Sequence, residues 1–135
     1  MKKLLLAYLL LTLSLTQAMA GGGASDEPVA MLGHDIIALI SDKTTKCVKT
    51  KDDSTCSTFF SRDGVVKRIL DTNGKRRSGK WYIDEENHLC IRWDGKTKSL
   101  VFVVMDMRDS TYNLIKKGKL KSTIIGFSEG NSLNL

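Results

Sequence analysis

The 135-residue chain predicts a mainly β fold: a small antiparallel meander closing into a barrel or half-barrel, with one N-terminal helix. Three observations predict it. After Asp42, short β-rich runs alternate with clusters of turn residues. Several of those clusters contain Asp-Gly or Asn-Gly, which supply the positive φ angles of tight hairpins. Upstream of them, one segment repeats its apolar residues at helical spacing instead.

The elements follow in chain order. Lys2 and Lys3 precede an apolar run from Leu4 to about Leu15, and Ala18-Met19-Ala20 follows. That is the three-part layout of a secretory signal peptide over residues 1–20, cleaved near Ala20. The run is shorter than the roughly 20 residues needed to span a bilayer, and no cysteine sits near the cleavage site to carry a lipid. Cleavage leaves 115 residues, enough for one domain. No later stretch is long and apolar enough to span a membrane, and the run Leu100–Met105 reads as a buried strand. The sequence therefore predicts a bacterial periplasmic or secreted protein with no stable membrane insertion after processing.

Residues 21–30 carry three consecutive glycines and few large apolar groups, which predicts a flexible leader. Residues 31–135 form the single β-rich domain. Leu32, Ile36, Leu39 and Ile40 share a helical face, placing a short helix over 31–41. Strands are predicted at 44–50, 55–61, 65–70, 78–84, 88–93, 98–106, 111–117 and 121–127. Turn residues such as Arg62-Asp63-Gly64, Asp71-Thr72-Asn73-Gly74 and Asp94-Gly95-Lys96 separate them. Alternation assigns faces: Leu89, Ile91 and Trp93 oppose His88, Cys90 and Arg92, and Trp81 and Ile83 oppose Lys80 and Tyr82. A meander of this length hides its edges by closing into a barrel, or by curling under the helix.

Three cysteines, Cys47, Cys56 and Cys90, enter an oxidising compartment after export. A turn centred between Lys51 and Asp52 sets Cys47 directly across from Cys56, where the Cα spacing suits a disulfide. The rival is a bridge from Cys90 to either of them. Paired Cys-x-x-Cys spacing is absent and only two histidines occur, so no metal site is predicted.

Catalytic chemistry is not predicted either. His34 and His88 are 54 residues apart with no triad or metal spacing around them. There is no phosphate-binding glycine loop, zinc-protease helix or nucleophile elbow. Carboxylates fall mostly in turns. No cofactor is implied. The formal charge of +6 drops to +4 when Lys2 and Lys3 leave with the leader. Basic clusters at Lys75, Arg76, Arg77 and Lys80, and at Lys116, Lys117, Lys119 and Lys121, favour an anionic glycan or lipid head group over nucleic acid, which export disfavours.

Two resemblances rest on short motifs. Ser78-Gly79-Lys80-Trp81 with Leu89-Cys90-Ile91-Arg92-Trp93, together with Leu32-Gly33-His34-Asp35-Ile36 and Phe59-Phe60-Ser61-Arg62-Asp63-Gly64, resembles a family of small exported proteobacterial proteins of unknown function. The resemblance covers roughly residues 31–116 and implies a periplasmic β-rich domain with no assigned activity. Members often carry a second cysteine soon after the Leu-Cys strand. Here Ser99-Leu100-Val101 has none, which weakens a bridge from Cys90. Ser78-Gly79-Lys80-Trp81-Tyr82, with Tyr112 and Lys117-Gly118, also resembles the motifs of periplasmic inhibitors of C-type lysozyme. That resemblance implies a protein–protein contact through an exposed loop.

The sequence thus predicts a non-enzymatic binding or envelope-maintenance protein of the periplasm. Its partner would be an envelope protein, a glycan or a small molecule. The candidate binding residues are Ser78, Lys80, Tyr82, Arg92 and Tyr112, with inhibition of C-type lysozyme as the alternative function.

Overall fold

The structure, a computed structural model, describes residues 26–135; the predicted signal peptide and residues 21–25 of the predicted leader lie outside them. Nine strands and one helix follow in order: β1 (Val29–Ala30), α1 (Gly33–Ile40), β2 (Lys43–Lys49), β3 (Thr55–Phe60), β4 (Val65–Leu70), β5 (Arg76–Ile83), β6 (Leu89–Trp93), β7 (Leu100–Asp106), β8 (Tyr112–Lys116) and β9 (Lys119–Glu129). Strands β2 to β9 form an antiparallel meander, and β9 returns to pair with β2. The sheet is a closed eight-stranded barrel. Closure removes the two edges that an open half-barrel would expose.

The leader ends earlier than the sequence predicts. Val29 and Ala30 pair with Asp106 and Met105 of β7. The cause is a gap in the ladder. Strand β6 covers β7 only from Leu100 to Phe102, so the second half of β7 has unmet backbone groups on that side. Two extended residues satisfy them, and Met31 N–H continues with a bond to Val104 O at 2.9 Å.

Helix α1 is too short to be stable alone and holds its place by burial. Ile36 and Ile40 are essentially inaccessible and close one end of the barrel. Leu32 at the N-cap offers no side-chain acceptor; instead, the Gly33 N–H donates to Asn87 Oδ1 of the β5–β6 turn at 2.8 Å. The helix is thereby tied to the strand end it covers. The core beneath it joins Phe60, Val66, Trp81, Leu89, Val104 and Ile124. On β5, Gly79 permits a close approach to β6: a Cβ there would lie 2.4 Å from Arg92 O and 2.9 Å from Trp93 Cα.

Cys47 and Cys56 sit opposite each other in the β2–β3 ladder and form a disulfide across a Cα–Cα distance of 5.1 Å. Cys90 is buried and unbridged. Both bridged cysteines share the inner wall with Thr45, Thr58 and Phe60, two or four residues away along their strands. A loop this short limits the disulfide's chain-entropy contribution to about 3 kcal/mol. The Cys47→Ala/Cys56→Ala variant is expected to lose about 2–3 kcal/mol of stability in urea unfolding. Non-reducing peptide mapping of the parent chain should recover the 47–56 link with a free thiol at 90. A peptide linked through Cys90 would contradict this pairing.

The hairpin turns hold themselves through acceptor side chains. Asp52 Oδ1 accepts Ser54 N–H at 3.0 Å and its hydroxyl at 2.7 Å. Asp109 Oδ1 does the same for Thr111 at 3.0 and 2.6 Å. Ser61 donates its hydroxyl to Asp63, and Lys46 and Thr55 both donate to Asp71. These bonds favour the ionised form, so all four carboxyls are held below the usual range, chiefly by the Ser54, Thr111, Ser61 and Lys46 side chains respectively. A carboxyl depressed in the folded state contributes stability fully above its unfolded value, and loses it as pH falls through the folded one. The thermal midpoint should therefore be flat from pH 7 to about 5 and fall below about pH 4. Circular-dichroism melts across that range check this, and an undiminished midpoint at pH 2 would refute it.

Candidate functional site: the basic open end of the barrel

The barrel interior changes character along its axis. Next to α1 it is filled by aliphatic and aromatic side chains. The middle carries Thr45 and Thr58, both buried, with Thr45 Oγ1 donating to Thr58 O at 3.2 Å. At the far end, away from the helix, the inner wall turns basic. Register places Arg68 of β4 beside Thr58 of β3 on one side and Arg77 of β5 on the other. Both guanidinium carbons lie 4.7 Å from the centre of the Trp93 ring, within range for cation–π attraction.

Two like charges on one indole need explanation. Arg68 is half-buried and Arg77 exposed. Arg68 Nε–H donates to Thr58 Oγ1 at 3.2 Å. Among the described residues neither guanidinium has a carboxylate partner. Burial, and then the charge of Arg77, pull the Arg68 pKa down to about 10, so it stays cationic at neutral pH. Lys49 is lowered as well, first by burial and then by Lys51 and Arg68. Each guanidinium carries five N–H donors in a planar fork. Most of those on this pair have no protein acceptor, yet no buried side-chain nitrogen is left unsatisfied. The free donors therefore face solvent, where an anion can meet them.

The rest of this end reinforces the charge. It gathers Lys49 and Lys51, the run Lys75-Arg76-Arg77, Lys96 and Lys98 after β6, and the β8–β9 hairpin Lys116-Lys117-Gly118-Lys119-Leu120-Lys121. Only Asp52, Asp53, Asp71 and Asp94 oppose them. The other eleven of the 15 acidic residues lie toward the helix-capped end, where Lys43, Arg62 and Arg108 are the accompanying Lys and Arg. The molecule is strongly dipolar along the barrel axis. A field of one sign over one end raises the local concentration of oppositely charged ligands.

Four of the five binding residues predicted from sequence share a surface. Ser78, Lys80 and Tyr82 alternate on the exposed outer face of β5, and Arg92 pairs with Lys80 from β6. Tyr82 Oη–H donates to Ser99 Oγ at 3.1 Å. Tyr112 stands apart, half-buried and edge-on to Phe127 at 5.8 Å. The Ser78–Tyr82 segment is a strand, not a projecting loop, and its Trp81 is anchored in the core.

Other polar groups are accounted for by the fold. Ligand-type atoms of Asp84, Glu86 and His88 lie within 4.8 Å of one another, but the carboxylate shapes a turn. Asp84 Oδ1 accepts the Glu86 and His88 N–H groups at 2.9 Å each, and Oδ2 meets His88 Nδ1 at 3.0 Å. Burial, and then the Asp84 charge, push the Cys90 thiol up, which makes it a poor nucleophile. A surface groove of 380 Å³ between β2, β9 and the C-terminal tail is lined by Thr44, Lys46, Ser128 and Leu133, among others, and gathers no such guanidinium donors. The convergence of chemistry is at the open end.

The sequence pattern marks only half of the arginine pair. Arg77 belongs to a basic run that the sequence singles out, whereas Arg68 lies in Val65-Val66-Lys67-Arg68-Ile69-Leu70, which has no alternation to say which basic residue points inward. No protein-family profile, curated protein or solved structure matches the chain.

Proposed function

We propose that the chain is an exported, periplasmic, non-enzymatic binding protein whose open barrel end takes an anionic ligand. One observation carries the reading: Arg68 and Arg77 share the Trp93 ring, 4.7 Å from each, with solvent-facing donors and, among the described residues, no acidic partner. An anion bridging the two forks would relieve their repulsion and supply charge-assisted hydrogen bonds. The Cys47–Cys56 disulfide and the signal-peptide pattern of residues 1–20 support export.

The test is titration with inorganic phosphate and pyrophosphate at low ionic strength, read by tryptophan fluorescence and thermal shift. Binding should raise the thermal midpoint in proportion to occupancy, weaken with added salt and disappear in Arg77→Glu. No saturable response to either anion would overturn the proposal. A second reading, inhibition of C-type lysozyme, has one observation in its favour: Ser78, Lys80, Tyr82 and Arg92 are exposed together on the outer wall of β5 and β6. It requires inhibition that Ser78→Ala/Tyr82→Ala abolishes and Arg77→Glu leaves intact.

A further inference from the structure

The open end holds a second feature that the arginine pair does not use. The β2–β3 turn lies against the start of β9, with Thr50 N–H donating to Lys121 O at 3.0 Å. Between them is a recess of 270 Å³ lined by Lys49, Thr50, Lys51, Leu120 and Lys121. Three lysines and one leucine thus contribute to its lining. Leu120 is 40% exposed, pairs across the ladder with Ile115 and is flanked near the hairpin tip by Lys116, Lys117, Lys119 and Lys121. A soluble polyanion gives an aliphatic side chain in that position nothing to do. A phospholipid surface does: phosphates meet the ammonium groups while the leucine enters the head-group boundary.

We infer that the protein docks peripherally on anionic phospholipid, open end first, with a head-group phosphate in the Lys49–Lys51–Lys121 recess and Leu120 in the interface. The axial charge asymmetry supports this orientation. A basic end facing an anionic bilayer and an acidic, helix-capped end turned away is the favourable alignment of such a dipole. Contact is end-on and reversible, and the barrel wall stays outside the bilayer. The inference deepens the proposed function and rests on the same reading of the open end as an anion receiver. It assigns the lipid contact, however, to the hairpin and recess instead of the arginine pair.

The experiment is co-sedimentation of the processed protein, residues 21–135, with vesicles of phosphatidylglycerol and phosphatidylcholine, compared with phosphatidylcholine alone. Binding is expected only to the anionic vesicles, with release as salt rises. Leu120→Asp and Lys119→Glu/Lys121→Glu should each lower vesicle affinity at least about tenfold. Both sit on an exposed hairpin, so thermal midpoints should stay near the parent value, and inorganic phosphate should still shift that of Leu120→Asp, which changes none of the basic residues. Equal binding to phosphatidylcholine alone would overturn the inference. Phosphate binding without vesicle binding would do so too, while leaving the arginine reading in place. Vesicle binding that survives when the phosphate response is absent would support the lipid surface and remove the arginine pair as the ligand site. Capture by dextran sulfate with no vesicle binding would assign the end to a soluble polyanion and overturn the lipid inference.

Discussion

Replacing Trp81 with alanine is expected to destabilise the barrel by about 3–5 kcal/mol, the usual cost of deleting a buried aromatic side chain. The position concentrates several contributions. Its side chain is 7% exposed and meets the Phe60 ring edge-on, with centroids 5.6 Å apart. Its indole N–H donates to Ser61 O at 2.8 Å, and its backbone N–H donates to Gly64 O at 2.9 Å. The residue therefore joins the core to the β3–β4 turn. Truncation removes the ring's apolar area, leaves a cavity beneath α1 and strips Ser61 O of its donor. Trp81→Phe should cost less, since it keeps much of the area and loses mainly the hydrogen bond, about 1–2 kcal/mol. Urea unfolding followed through the remaining Trp93 measures both. A loss under about 1 kcal/mol for the alanine variant would mean that the ring is not buried as described. Because small domains have only about 5–15 kcal/mol in total, Trp81→Ala should also be markedly more sensitive to proteolysis.

The second prediction runs in the opposite direction. Arg68→Met is expected to stabilise the free protein by about 1–2 kcal/mol while strongly weakening its response to phosphate. Arg68 is a half-buried charge whose pKa is pulled down to about 10 by burial and by Arg77. Removing a poorly compensated buried charge in favour of an apolar side chain of similar length is often stabilising. Methionine keeps contact with the Trp93 ring through its polarisable sulfur, and the cost is one hydrogen bond to Thr58 Oγ1. A charge kept at the expense of stability is the mark of a ligand site, where stability and function trade against each other. The loss of a charged, forked contact should weaken phosphate by about 10- to 100-fold. Thermal melts of parent and variant, with and without phosphate, read both effects together. A variant that is less stable yet still responds to phosphate would remove Arg68 from the site.

Much of the architecture is readable locally because its causes are local. Alternation at Leu89, Ile91 and Trp93 identifies the inner wall of β6, and all three are core residues. The predicted turns are where the chain reverses, and Gly74 and Gly95 adopt φ of +69° and +85°. The register of Cys47 with Cys56 follows from the turn between them, since a two-strand ladder has few degrees of freedom once its turn is placed. The outer-wall residues Ser78, Lys80, Tyr82 and Arg92 fall on one face for the same reason.

What the tertiary structure alone decides is non-local. Whether the meander closes depends on β9 meeting β2, from Lys49 with Ser122 to Lys43 with Glu129, and on a register shift between Lys46 and Cys47. The role of Val29 and Ala30 depends on how far β6 reaches along β7. Above all, the site depends on three strands in register: only when β4, β5 and β6 are aligned do Arg68, Arg77 and Trp93 converge. The barrel-forming meander, its single helix and its local disulfide are legible in the chain, because alternation, turn chemistry and a nearby partner act over a few residues. The closed barrel and its basic open end came from tertiary structure, because closure and the convergence of like charges depend on where distant strands finally lie.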